Sequence, residues 1–162
     1  MDGMSGMIVA DMTEGAIAPS VTLSLDDAHV YRSKIVEKCV EAERHILRLL
    51  AAKQLTWSPK APLSQKIECL KEAYGKEPSN KRTRATLALL AELGSLSDTR
   101  SELVHSTMSI SKLEGAQVCV LRNAAEQDNS YGVRSILSVD RFKAILKQLS
   151  NVANRLGQVP LG

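Results

Sequence analysis

Hydrophobic residues recur every three or four positions in the first long patterned segment of this chain. The repeating positions are Ala28, Tyr31, Ile35, Cys39, Ala42, Ile46 and Leu49. This spacing puts apolar side chains on one face of an α-helix. Ser24 or Asp26 can accept hydrogen bonds from the free N–H groups at its start. The pattern therefore predicts a first helix that runs from Ser24–Asp27 to about Ala52.

Two further helices are predicted in the middle of the chain. One covers about residues 63–74, with Ile67 and Leu70 facing inward. The next begins near Ser79 and has an apolar face formed by Leu87, Leu90, Ala91 and Leu93. Gly94 lowers helix propensity within this segment. We therefore expect a bend there, before the helix restarts at Ser97 or Asp98.

The pattern changes after the third helix. Residues 108–110 and 118–121 are short, partly alternating and rich in β-branched side chains, and they flank a turn-like stretch at 112–116. This arrangement predicts a small β-hairpin. A last helix is predicted from a capping segment at 138–140 to about Leu156.

Apolar-striped helices with short connections are typical of helical bundles. The sequence therefore predicts a mainly α protein: an up-and-down bundle of four to five helices, with the hairpin inserted before the last one. We expect one domain over residues 24–157. Residues 1–23 are predicted to be a flexible arm and residues 158–162 a C-terminal tail.

Composition narrows the function classes only slightly. Aromatic residues make up 3% of the chain, so the core must consist mainly of Leu, Ile, Val and Ala. The formal net charge of +3 permits a nucleic-acid partner without requiring one. Cys39, Cys69 and Cys119 are widely spaced, which argues against a disulfide framework or a zinc site. We expect them to be small apolar core residues in a reducing compartment.

No segment indicates a membrane, a metal or a cofactor. Residues 1–7 lack the basic and apolar regions of a secretory signal, and no run of about 18 apolar residues occurs, so we expect a cytoplasmic protein. Gly3 and Gly6 do not match a nucleotide-binding fingerprint. Glu41 and His45 are four residues apart on the first helix, but two ligands do not make a metal site.

Candidate chemistry is confined to the segment 97–106, which contains Arg100 and His105. On a regular helix, residues five apart are separated by roughly 140° around the axis. The two side chains can converge only if the helix bends or ends between them, or if a second subunit brings its own copy alongside. Leu103 and Val104 are expected to anchor this turn in the core.

The hexapeptide from Arg100 to His105, Arg-Ser-Glu-Leu-Val-His, resembles the R-x(4–6)-H motif of HEPN domains, the higher-eukaryote and prokaryote nucleotide-binding domains. The resemblance covers about residues 24–157. It implies a metal-independent endoribonuclease whose two copies of the motif face each other in a dimer. His105 would be the general acid or base, Arg100 would hold the scissile phosphate, and Ser101 would orient either group.

Other interpretations remain open. HEPN domains often have Asn after the arginine, whereas this chain has Ser101. The resemblance also implies that the RNA-cleaving or RNA-binding protein belongs to a toxin or defence system, with an antitoxin or another protein as partner. Many HEPN domains are not nucleases and act as binding or assembly modules, so a non-catalytic dimerisation module is the alternative. In an unrelated bundle, Arg100 would pair with Asp98 or Glu102, and His105 would cap the helix C-terminus. A groove shared with the basic residues at 81–84 would favour RNA.

Overall fold

The computed structural model describes residues 22–123 and 132–162. In chain order its elements are α1 (Leu25–Ala52), α2 (Leu63–Gly75), α3 (Lys81–His105), β1 (Ser106–Leu113), β2 (Ala116–Asn123), β3 (Val133–Leu137) and α4 (Val139–Gly157). The prediction of a mainly helical protein is confirmed. Within the described ranges, no helix combines the length and the apolar character that crossing a membrane requires.

The start of α1 is fixed by a reciprocal cap. Ser24 Oγ accepts a hydrogen bond from the Asp27 N–H at 3.0 Å, and the Asp27 carboxylate accepts one from the Ser24 N–H at 3.0 Å. These bonds to Ser24 stabilise the charged carboxylate and lower the pKa of Asp27. Leu23, which the sequence assigned to the arm, is buried in the core. Residues 1–21 of the predicted arm lie outside the described residues.

The core lies chiefly between α1 and α4, which pack along each other. Tyr31 and Phe142 stack across this interface with ring centroids 5.1 Å apart. Arg48 of α1 donates a hydrogen bond to the carbonyl of Gly157 at 2.9 Å. Because the last carbonyls of a helix lack intrahelical partners, this bond satisfies an acceptor at the end of α4. α2 packs on α3 and completes the helical part of the molecule.

α3 is a single uninterrupted helix of 25 residues, capped by Asn80. The expected restart of the helix at Ser97 or Asp98 is therefore wrong, because the helix continues through both positions. At a rise of 1.5 Å per residue, Arg84 lies about 24 Å along the helix from Arg100. The basic first turn of α3 is thus remote from the Arg100–His105 segment.

The strands form one antiparallel sheet in the order β1-β2-β3. β1 and β2 make the predicted hairpin, and its two turn residues, Glu114 and Gly115, have φ values of 51° and 80°. Positive φ at both positions is what a type I′ hairpin turn requires. The prediction of a two-stranded hairpin is incomplete, because β3 adds a third strand. Cys119, Leu121 and Leu137 join the sheet to the hydrophobic core.

Candidate functional site

The motif occupies the last two turns of α3. Because the helix runs unbroken to His105 and β1 begins at Ser106, the helix does not end between Arg100 and His105. Leu103 between them is fully buried and anchors this part of the helix, as expected, whereas Val104 is 39% exposed and not in the core. Arg100 and His105 instead line two different depressions on the protein surface.

The first, which we call the Arg100 depression, lies between α1, α2 and α3 and has a volume of about 300 Å³. Its lining residues are Cys39, Val40, Glu43, Ala61, Pro62, Leu63, Ser64, Ser97, Asp98, Arg100 and Ser101. Every side of it therefore comes from a helix or from the connection that leads into α2.

The charges around this depression are unequally compensated. Lys66 is 5% exposed, and its ammonium lies 2.7 Å from the Glu43 carboxylate. Arg100 forms no ion pair within 4.0 Å with any described residue. The alternative in which Arg100 pairs with Asp98 or Glu102 is therefore not the arrangement found, and the guanidinium remains available to an anion.

Cys39 of α1 reports the electrostatics of the same depression. Burial raises the pKa of the Cys39 thiol to about 11, the positive charge of Arg100 opposes the rise, and the negative charge of Glu43 adds to it. The burial of Cys39 matches the sequence expectation, and the nearby charge shows that the field of Arg100 reaches across to α1.

The second, the His105 depression, has a volume of about 550 Å³ and lies where α3 meets the sheet. It is lined by Asp98, Ser101, Glu102, His105, Ser106 and Arg134. His105 is exposed. Asp98 and Ser101 line both depressions, so the two adjoin along one ridge of α3, with Ser101 between Arg100 and His105.

Arg134 is the residue of this site that the sequence did not assign. Leu121 pairs with Ser135 and Arg122 pairs with Val133, so Arg134 is left over in the ladder. This two-against-one count is a β-bulge, a feature that redirects side chains beside functional sites. The bulge accompanies the placement of Arg134 beside His105 in the lining of this depression. The sequence did not predict this strand or its bulge, because the five residues of β3 do not alternate regularly between apolar and polar.

Glu102, which had no predicted role, joins α3 to the sheet. Its carboxylate accepts a hydrogen bond from Ser135 Oγ at 2.5 Å. Because Ser135 is next to Arg134 in β3, this bond also fixes the strand at the edge of the His105 depression. Glu102 is therefore a structural contact of the site.

The other histidines and Glu41 contact neighbouring residues of the fold. Glu41 accepts a hydrogen bond from Lys38 at 2.8 Å, and a Cβ on Gly157 would lie 3.0 Å from the His45 ring. His29 bonds to Arg32 at 2.9 Å. Within residues 22–123 and 132–162, no three His, Cys, Asp or Glu side chains cluster as metal ligands would. Gly3 and Gly6 lie outside the described residues.

No family model, curated protein or solved structure matches the chain. The resemblance to HEPN domains therefore depends on the residues of this chain and their placement alone.

Proposed function

We propose that this protein is a HEPN-like domain that binds and cleaves RNA as a homodimer, without a cofactor, in the cytoplasm. The observation that carries the proposal is the surface shared by the two depressions. Arg100, Ser101 and His105 all reach this surface, and Ser101 lies on the ridge between the other two. Since α3 does not end between Arg100 and His105 and the two residues line separate depressions, a second copy would complete the arrangement around one phosphate.

In this proposal His105 moves the proton. A neutral imidazole takes the proton from the ribose 2′-OH while that oxygen attacks phosphorus, or an imidazolium gives a proton to the departing 5′ oxygen. The P–O5′ bond breaks and a 2′,3′-cyclic phosphate forms, with no need for a metal. An exposed histidine at the end of a helix is accessible to an RNA backbone.

Guanidinium groups would stabilise the charge that develops on the phosphate. Arg134 supplies one from within the His105 depression, but Asp98 and Glu102 also line it and oppose the binding of an anion. One arginine against two carboxylates gives no positive groove. The additional charge of Arg100, from the adjoining depression or from the second protomer, supports the requirement for a dimer.

The test is incubation of the purified protein with several RNA substrates in EDTA. Cleavage that leaves 2′,3′-cyclic phosphate ends is expected, and His105→Ala and Arg100→Gln should each lower the rate at least roughly 100-fold. Arg134→Gln should lower it less, by about tenfold, since it removes one charge-assisted contact.

Matched controls are His29→Ala and Arg44→Gln, which remove exposed side chains from α1 and should leave the rate unchanged. Intact RNA with every substrate, or cleavage that survives His105→Ala, would overturn the nuclease proposal.

A non-catalytic dimerisation or partner-binding module, such as one component of a toxin–antitoxin pair, is the second candidate. It is favoured by apolar side chains beside Arg100: Val40 is 42% exposed and Val104 is 39% exposed. Val104 also lines a shallow surface depression with Arg32, Val36 and Glu37 of α1. In this case sedimentation should show a complex that tolerates His105→Ala but dissociates in Val104→Glu.

A further inference from the structure

The N-terminus of α2 opens into the Arg100 depression with unused hydrogen-bond donors. Its cap residue is Pro62, which provides no side-chain acceptor. The backbone N–H groups of Leu63 and Ser64 have no acceptor among the described residues, whereas those of Gln65 and Lys66 reach the Pro62 carbonyl. Free N–H groups at a helix start, together with the positive end of its dipole, favour an anion.

A second feature of the depression is a side-chain hydroxyl without a protein partner. Ser97 of α3 is only 8% exposed and lines the same depression. No described residue forms a hydrogen bond with its hydroxyl, and that oxygen is not sealed from solvent. The Ser97 side chain is therefore nearly buried in the depression, and its hydroxyl is free to bond to water or to a ligand. The opening through which it can be reached is the Arg100 depression.

The charge balance at this place favours a negative ligand. Lys66 and Glu43 neutralise each other across 2.7 Å. The remaining charges are the unpaired Arg100, the helix dipole of α2 and the carboxylate of Asp98, which is exposed to water and therefore screened. Arg100 can present two parallel N–H groups to phosphate oxygens.

We propose that Arg100, Ser97 and the Leu63–Ser64 N-terminus of α2 form a binding site for a phosphate group. The volume of about 300 Å³ is at the lower end for small-molecule sites and fits a phosphate with part of a nucleotide. The site depends on the proposed function only for RNA as the source of that phosphate. A free nucleotide or inorganic phosphate has the same chemistry.

Calorimetric titration of the full chain with inorganic phosphate, AMP and adenosine tests the site. Phosphate and AMP should bind, and adenosine should not. Arg100→Gln should weaken AMP binding roughly tenfold or more, because it removes a charge-assisted contact. Binding of adenosine as tight as that of AMP, or no binding of either phosphate compound, would overturn the proposal.

The Pro62→Asp variant distinguishes a loss of phosphate binding from a loss of fold stability. An aspartate at this cap position would bond to the free N–H groups, as Ser24, Asn80 and Ser138 cap the other helices, and its carboxylate would occupy the anion position. We expect a higher melting temperature together with AMP binding at least roughly tenfold weaker. Pro62→Ala is the matched control and should bind AMP as the unmodified protein does. Equal binding by the two variants would contradict the proposal.

The affinities for two RNA oligomers, one with and one without a 5′-phosphate, show which kind of phosphate the site binds. Preference for the phosphorylated one identifies a terminal phosphate, and equal affinity identifies an internal phosphodiester; both depend on the site. Uncleaved RNA with normal AMP binding would remove the nuclease proposal and leave the phosphate site. RNA cleavage together with AMP binding that Pro62→Asp leaves unchanged would keep the nuclease proposal and remove the phosphate site.

Discussion

The two depressions on either side of Ser101 differ in how they are built. The Arg100 depression lies among three helices and is lined by Glu43, whose carboxylate pairs with the nearly buried Lys66. The His105 depression lies between a helix end and a strand, and the hydrogen bond from Ser135 to Glu102 joins its two sides. The hexapeptide from Arg100 to His105 therefore lines two depressions that are stabilised by different contacts. An ion pair lies beside the first, and a hydrogen bond between helix and strand lies at the second.

This difference follows from helix geometry. Residues five apart on an unbroken helix point in directions roughly 140° apart, so the neighbours of Arg100 are helices and those of His105 belong partly to the sheet. The proposed function assigns anion binding to the Arg100 depression and proton transfer to His105. Variants that affect one depression and spare the other are the means to test it.

The largest expected effect is common to both depressions. Leu103 is fully buried on the turn of α3 that lies between Arg100 and His105. Leu103→Ala should destabilise the fold by about 2–5 kcal/mol, because it leaves a cavity under both sites. Urea denaturation measures this change. Val104→Ala, an exposed neighbour, is the control, with an expected change within about 0.5 kcal/mol.

If Leu103→Ala instead left stability unchanged, the turn would not be anchored in the core. The two depressions would then not be held in fixed positions on either side of Ser101.

A smaller effect should be confined to the His105 depression. Glu102→Ala removes the acceptor of the Ser135 hydroxyl and should cost about 1–2 kcal/mol, while Glu102→Gln keeps an acceptor and should cost less. The ring resonances of His105 in NMR spectra should shift in Glu102→Ala, whereas AMP binding at the Arg100 depression should not change. If Glu102→Ala changed the His105 ring resonances and AMP binding alike, the two depressions would not be structurally independent.

Much of the helical architecture could be predicted from the sequence because the helices carry strong periodic patterns and caps. Ser24 and Ser138 cap α1 and α4 where the pattern placed them. The expected restart of the helix after Gly94 was wrong, since an intrinsic propensity cost of about 1 kcal/mol is small beside the packing of α3 against its neighbours. The third strand was missed because β3 is five residues long and does not alternate regularly.

The candidate site was predictable only in part. Spacing alone showed that Arg100 and His105 do not share a helix face, and the structure places them in separate depressions. Arg134 was not assigned, because a bulge depends on strand register, which a single sequence does not show. The N-terminus of α2 was not part of the predicted site, because its position beside Arg100 depends on how α2 packs against α3.

The smallest predicted effect concerns the pH response of Cys39. Burial raises its pKa to about 11, and a thiol whose pKa is higher in the folded than in the unfolded state stabilises the fold below its unfolded pKa. This contribution should be lost as the pH rises from about 9 to about 11. Alkylation of Cys39, followed by peptide mass spectrometry, should accordingly be slow at neutral pH and accelerate above about pH 10.

Arg100→Gln sharpens this measurement, because the positive charge of Arg100 opposes the rise in the pKa of Cys39. Its removal should move the alkylation profile to still higher pH, while Arg134→Gln, in the other depression, should leave it in place. A profile that shifted equally in both variants would mean that Cys39 senses the net charge of the protein. A shift confined to Arg100→Gln would show that the field at the Arg100 depression is local, as a site that selects an anion requires.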